Sequence, residues 1–247
     1  VGPGDLVLEV GPGTGALTDA LLEQGCEVVA CELDRGLGAL VARRHAGAGA
    51  RFRLIQGDCL ERKTLLNPEI GQALGDRSFR LVANLPYGAA SPLMALLATR
   101  YHPKTPGEHP RCLGQFVTIQ KEVAQRLRAE PGSSEYGELG VIVQAMCAVT
   151  RLATLPPECF WPRPKVTSEM VSIVPLEAPL SDAPQRLAAL CRVLFTKRRK
   201  QVGTILSGAG MTEALPPGIE PTMRPEQLSV TQLVELAARM PQQPRAE

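Results

Sequence analysis

No apolar run in this sequence is long enough to span a bilayer as a helix, and no signal peptide is visible, so no membrane association is expected. Seven cysteines are present (Cys26, Cys31, Cys59, Cys112, Cys147, Cys159 and Cys191), but the number is odd and no pair has C-x-x-C spacing. That argues against a disulfide framework and against a zinc site, so no metal is expected. Reduced thiols in a cytosolic, cytoplasmic compartment are the simplest reading. Excess charge of one sign is also missing. Lys and Arg number 27 against 25 Asp and Glu, a net charge of +2, so any polyanionic partner must meet a local patch. Histidine is scarce as well: His45, His102 and His109 all fall in Gly- or Pro-rich surroundings and read as surface loop residues. Aromatic residues make up only 4% of the chain, which makes any aromatic pair conspicuous.

What is present looks globular. The chain has 247 residues, enough for one large domain or a main domain plus a small one, and its 44% hydrophobic and 21% charged content is ordinary. It opens directly on "VGPGDLVLEV", close to a buried strand, so a trimmed N-terminus is expected and no targeting is read from it.

The front two-thirds alternates strand-like and helix-like runs. "DLVLEV", "EVVACEL", "RFRLIQGD", "SFRLVANL" and "GQFVTIQ" read as strands. "ALTDALLEQG", "GLGALVARRHAG", "SPLMALLATRY" and "KEVAQRLRAE" read as the helices between or behind them. "ELGVIVQAMC" has helical spacing, and "AVTRLATL" and "SEMVSIVPL" look like late strands. Such alternation predicts an α/β, Rossmann-like, mostly parallel sheet with helices on both faces. Near residue 176 the texture changes. "PLEAPLSDAPQ" is a proline-rich connector, and only helical patterns follow it. We therefore expect a cofactor-binding domain over residues 1–176 and a small all-helical domain over residues 177–247.

"LEVGPGTG" sets Glu9, Gly11, Gly13 and Gly15 at the end of the first strand and the start of a helix. Glycines there let a ligand approach the backbone, and the helix start offers free N–H groups. Glu32 closes the second strand, where a carboxylate can take both hydroxyls of a ribose. Asp58 closes the third, where a carboxylate can accept from an adenine amino group. These strand ends describe an adenosine-shaped cleft. The competing ligand is NAD, but its fingerprint is G-x-G-x-x-G with a pyrophosphate on the helix end. Here the spacing is G-x-G-x-G and Glu9 precedes it. An acid beside the cleft repels phosphate and suits the ammonium of an amino-acid tail, as in S-adenosyl-L-methionine. A plain tight turn is the bland alternative.

"VANLPY" ends the fourth strand beside the same cleft. The Asn84 side-chain carbonyl and the Leu85 backbone carbonyl can each accept a hydrogen bond. Pro86 stiffens the turn, and Tyr87 offers a flat face for stacking. Together they form a socket for a planar ring bearing an exocyclic amine. An aryl amine is a poor nucleophile, so orienting it toward a sulfonium methyl is most of the catalysis and no strong base is required.

"LEVGPGTG", "CELD", "GDC" and "NLPY", in that order, resemble the ribosomal RNA adenine dimethyltransferase family. "QKEVAQRLRAEPGSSEYGELGVIVQ", "FWPRPKVTSEMVSIVP" and "LFTKRRKQVGTIL" resemble further blocks of that family, so the likeness covers nearly the whole chain. It implies S-adenosylmethionine use and N6,N6-dimethylation of two adjacent adenines near the 3′ end of small-subunit ribosomal RNA. It also implies that Gly11, Glu32, Asp58 and Asn84 contact the cofactor, and that Asn84, Leu85 and Tyr87 hold the adenine. Phe160 would supply a second aromatic face. A core role for Phe160 and Trp161 is the competing reading. The chain departs from the family pattern at Gly88, where a polar residue is common, and at Thr167, where Asp is usual. Family members also carry a segment, often with a Gln-x-Phe-Leu motif, that closes over the cofactor and would precede residue 1.

Lys197, Arg198, Arg199 and Lys200 sit in a helical pattern after Phe195. An isolated run of this kind is usually a solvated helix face, but with an RNA substrate implied, phosphate contact is the better reading. Lys121, Arg126 and Arg128 could extend the patch. The expected partner is ribosomal RNA in the small subunit, bound by a monomer. Competing functions are a large-subunit adenine methyltransferase of the macrolide-resistance type, a non-catalytic assembly or transcription factor on the same fold, and, more remotely, an NAD-dependent oxidoreductase. The macrolide-resistance branch typically has Ile where this chain has Leu85. Non-catalytic members can lose Asn84 or Glu32, which are both intact here.

Overall fold

A computed structural model of the chain describes residues 1–107, 110–211 and 215–240. His109 lies outside these residues. β1 (Leu6–Val10) is buried at every position, as a central parallel strand covered on both faces must be. Behind it follow α1 (Ala16–Glu23), β2 (Glu27–Glu32), α2 (Arg35–Arg44) and β3 (Phe52–Gln56). The Asp34 carboxylate accepts from the Leu37 amide and caps α2. A short antiparallel pair, β4 (Leu60–Arg62) and β5 (Leu65–Leu66), leads into α3 (Pro68–Leu74). Then come β6 (Ser78–Asn84), α4 (Tyr87–Thr99), β7 (Arg111–Gln120), α5 (Lys121–Leu127), α6 (Glu138–Met146), β8 (Cys147–Leu155) and β9 (Ser168–Pro175). Three helices follow: α7 (Pro184–Thr196), α8 (Val202–Gly208) and α9 (Val230–Arg239).

The main sheet has seven strands in the order β3-β2-β1-β6-β7-β9-β8. The strands from β3 to β7 are parallel, and β9 runs antiparallel to both of its neighbours. The chain winds outward from β1 to β3, then returns to β6 on the other side of β1. That reversal opens a crevice at the carboxyl ends of β1 and β6, where open α/β sheets bind ligands.

Alternation along β1 splits the core. Val7 faces α1 with Leu21, Cys26, Val28 and Ala30. Leu6, Leu8 and Val10 face the opposite layer, whose core runs through Leu93 and Leu97 of α4 into Leu187 and Leu190 of α7 and Leu233 of α9. The helical segment is thus packed on the sheet layer through a continuous apolar core. Tyr136 pins it further: its buried hydroxyl donates to the Leu228 carbonyl at 2.9 Å, and its ring meets Phe195 edge-on at 5.9 Å.

Three expectations need correction. His45 and His102 are buried rather than on the surface. The His45 ring bridges the Val41 carbonyl (3.0 Å) and the Asp19 carboxylate (2.8 Å). His102 sits between the Met146 carbonyl and the Lys104 amide, at 3.0 and 3.1 Å. Both rings anchor chain segments through matched donors and acceptors, which is what burial requires. The basic run is not helical either, because α7 stops at Thr196 and residues 197–200 form the turn before α8. Finally, α4 begins at Tyr87, earlier than the apolar pattern suggested, with the Ala89 and Ala90 amides donating to the Pro86 carbonyl. Among the described residues no helix is long and apolar enough to cross a membrane.

Candidate active site

The crevice between β1 and β6 is a cleft of about 1170 Å³. The loop after β1 forms one wall. Gly11 and Gly13 both have positive φ (74° and 59°), which an L side chain adopts only with strain. No atom lies within 4 Å of where a Cβ on Gly13 would sit, so that backbone borders open space. The Gly11 amide donates to the Cys31 carbonyl at 2.9 Å, which stitches the loop to the end of β2.

Glu32 ends β2 and is only 7% exposed. Its two carboxylate oxygens accept from the Gly13 amide (3.1 Å) and the Asp34 amide (2.9 Å). Each oxygen keeps a lone pair for a further donor, such as a hydroxyl of a vicinal diol. Asp58, in the loop after β3, is exposed on the cleft wall, with Oδ1 accepting from the Leu60 amide at 2.9 Å.

Glu9 stands apart from this group. It shares the Val7 side of β1 and faces α1, where it is 1% exposed and accepts from the Thr18 hydroxyl at 2.7 Å. It does not line the cleft. Burial pushes its pKa up to about 7; the Thr18 bond opposes that rise, while the charges of Asp19 and Glu32 add to it. Glu9 is therefore set behind the cleft rather than on its wall.

The opposite wall is the turn after β6. Asn84 ends the strand, and its exposed amide has no hydrogen-bond partner among the described residues. Leu85 is buried, and its N–H donates to the Thr118 carbonyl at 3.0 Å, which ties the turn to β7. Pro86 leads into α4, and Tyr87, the first helical residue, is 54% exposed on the cleft. Phe160 reaches the same cleft from the loop between β8 and β9 and is half-buried. Its neighbour Trp161 is 96% exposed, so the core reading of this pair does not hold. Sequence reasoning left Trp161, Leu33 and Thr118 off the list of cleft residues, although all three line it. Leu33 and Trp161 carried a signal: large apolar residues directly beside predicted site residues.

The fold brings together Gly11, Gly13, Glu32, Asp58, Asn84, Leu85, Tyr87 and Phe160 around one crevice. Single drug-sized ligands fill roughly 300–1,000 Å³. This cleft is larger and more open, with glycine backbone and acids at one side and an amide and aromatic rings at the other. The residues present fit an adenosine: Glu32 beside the bare Gly13 backbone suits a ribose diol, and Asp58 stands on the same wall.

Lys197, Arg199 and Lys200 lie away from this cleft, exposed on the α7–α8 turn. Arg199 and Lys200 line a separate pocket of about 560 Å³ with Arg224 and Thr204. Arg198 is engaged inward. Its guanidinium pairs with Glu226 and donates to the carbonyls of Ser134 (2.7 Å) and Ser133 (3.0 Å). Arg128 is likewise committed, to the buried carboxylate of Glu169, and Arg126 pairs with Glu122.

Comparison with known proteins agrees with this geometry. A protein-family model described as "Ribosomal RNA adenine dimethylase" matches residues 1–242. A protein of Synechococcus sp. named "Ribosomal RNA small subunit methyltransferase A" is 36% identical over 247 residues, covering 96% of this chain and 86% of that protein. One of the same name from Pseudomonas aeruginosa is 36% identical over 245 residues, covering 98% and 86%. Among solved structures, a dimethyladenosine transferase from Plasmodium falciparum superposes with a TM-score of 0.68 at 24% identity, over 96% of this chain and 90% of its own. A 23S rRNA methyltransferase superposes at 0.58 with 22% identity, over 97% and 93%. At such identities those two structures speak to the fold, while the family match and the relatives speak to descent. On the match that runs through residue 242 and the relatives that span nearly all of it, the chain belongs to the ribosomal RNA adenine dimethylase family.

Proposed function

We propose that this protein transfers methyl groups from S-adenosyl-L-methionine to the N6 amine of adenine in small-subunit ribosomal RNA, dimethylating two adjacent adenines near the 3′ end. One observation carries the reading: the glycine loop with Glu32 and the Asn84–Tyr87 turn face one another across a single crevice at the β1/β6 reversal. The names of the relatives support the RNA and the subunit.

The cofactor supplies an electrophilic methyl on a sulfonium. Everything else falls to the chain. Gly11 and Gly13 present bare backbone, Glu32 accepts from the ribose hydroxyls, and Asp58 accepts from the adenine of the cofactor. Glu9 ties the end of β1 to α1 through Thr18 rather than contacting the cofactor. Across the crevice the Asn84 side-chain carbonyl and the Leu85 carbonyl accept the two N–H bonds of the substrate amine. The tyrosine ring of residue 87 and Phe160 hold the base by stacking. In the first transfer, holding both N–H bonds turns the nitrogen lone pair toward the methyl carbon; the N–C bond would form as the C–S bond breaks to a neutral thioether, and the amine gives up one proton to solvent. In the second transfer one N–H remains, held by one of the two acceptors, and orientation again supplies most of the rate. The target base reaches this socket only by leaving its helix.

We assign the crevice and its sheet, residues 1–176, to cofactor binding, and residues 177–247 to RNA binding. Lys197, Arg199 and Lys200 are the phosphate contacts. Arg198 is withdrawn from that set because its guanidinium is already engaged.

Methyl-deficient small subunits incubated with labelled cofactor, followed by mass spectrometry of the RNA, test this reading. Dimethyladenosine at two neighbouring positions is the expected product. Label appearing only in large-subunit RNA would favour the macrolide-resistance type of activity, and no label in either would favour a non-catalytic role.

A further inference from the structure

Trp161 is 96% exposed, a degree of exposure that a residue of this size and apolarity reaches only at a cost in solvation. It is also the only tryptophan in the chain. It is not a stray surface residue, because it lines the same crevice as Tyr87 and Phe160. Its backbone is held from both sides. Phe160, before it, is half-buried in the crevice wall, and Pro162 and Pro164 fix φ after it. Lys165, four residues on, is exposed, while the exposed Arg163 is paired with Glu158. An exposed aromatic ring at the mouth of a crevice that already holds two others is the kind of platform on which single-stranded nucleic acid stacks its bases.

Moving one adenine out of a stacked RNA leaves its neighbour with an uncovered face. Tyr87 and Phe160 are committed to the extruded base. We propose that Trp161 stacks on the base next to the extruded adenine, taking the place the adenine vacates and holding the strand open at the mouth of the crevice. This inference rests on the adenine-methylation reading above. It adds a second aromatic subsite, for a flanking nucleotide, whose ligand is a purine or pyrimidine face and not a hydrogen-bonding edge. In this scheme Trp161 contributes to substrate binding and to the extruded state, not to cofactor affinity.

Because Trp161 is the sole tryptophan, the unmodified protein reports on the subsite directly. Tryptophan emission is followed while a stem-loop RNA carrying the target adenines is titrated in, and methyl incorporation into the same RNA is measured in parallel. Stacking predicts strong quenching with the intact RNA, and loss of that quenching when the base adjacent to the target is replaced by an abasic residue. Trp161→Ala should weaken RNA binding roughly tenfold or more, Trp161→Phe should recover most of that loss, and cofactor affinity should stay unchanged in both. If the wild-type protein methylates the RNA while its emission is indifferent to the abasic replacement, the subsite is wrong and the methylation reading stands. If no adenine in any ribosomal RNA is methylated or bound, both fall together.

Discussion

A β-carbon placed on Gly11 would lie 3.3 Å from Cδ of Pro86. The glycine loop after β1 and the turn after β6 therefore approach closely at Gly11 and Pro86, at the base of the crevice. Gly11→Ala should strain a backbone at φ 74° and push the two walls apart. We expect a stability loss of about 1–2 kcal/mol from the backbone alone, read from thermal unfolding, and a further fall in cofactor affinity read by calorimetry. An alanine variant with unaltered stability and affinity would show that the walls are not coupled.

Asn84→Ala removes one of the two acceptors proposed for the substrate amine. Its side chain is exposed, so unfolding should stay within about 0.5 kcal/mol of wild type. Methyl transfer should drop by about a hundredfold or more while RNA binding survives. Near-normal turnover would reject the socket.

Glu9 links the site to pH. Its folded pKa of about 7 lies above the unfolded value of 4.5, so the folded state keeps a proton that the unfolded chain gives up. The stabilisation is complete below about pH 4.5 and is lost as pH rises through about 7. Its full size is on the order of 3 kcal/mol. Glu9→Gln retains an acceptor for Thr18 and has no charge to desolvate, so it should exceed wild type in melting temperature at pH 8 and match it at pH 5. Parallel pH profiles for the two proteins would contradict the burial of this carboxyl.

Neutralising Lys197, Arg199 and Lys200 together should reduce the slope of log affinity against log salt by roughly 2–3 for RNA. Arg198→Ala should behave differently. It breaks the pair with Glu226 and two bonds to carbonyls, so it should lower stability by about 1–2 kcal/mol and leave the salt slope nearly unchanged. Equal slope changes from both sets would put Arg198 back on the RNA.

The strand ends were legible because βα alternation and glycine positions fix them locally. Gly11, Glu32 and Asn84 needed only the knowledge that each sits at the carboxyl end of a strand. Glu9 was legible in position but not in direction: the period-two alternation from Val7 already turned it toward α1. His45 and His102 were misread because their surroundings suggested loops, while the partners that bury them come from Asp19 and Met146, far off in sequence. The helix α3 was overlooked, although Asn67-Pro68 before Ile70 and Leu74 is a start signal; the Asn67 side chain does cap it. The inward turn of Arg198 depends on Glu226 and could not be read from four consecutive basic residues.

The hydroxyl bond from Tyr136 to Leu228 joins positions 92 apart, across the boundary expected near residue 176. Together with the shared apolar layer, it makes helices α7 to α9 a structural wall of the sheet rather than a tethered accessory. The helical segment and the sheet that carries the crevice should therefore melt in one cooperative step. A chain cut at the connector would expose Leu187's partners to water and would not leave behind an independent catalytic half.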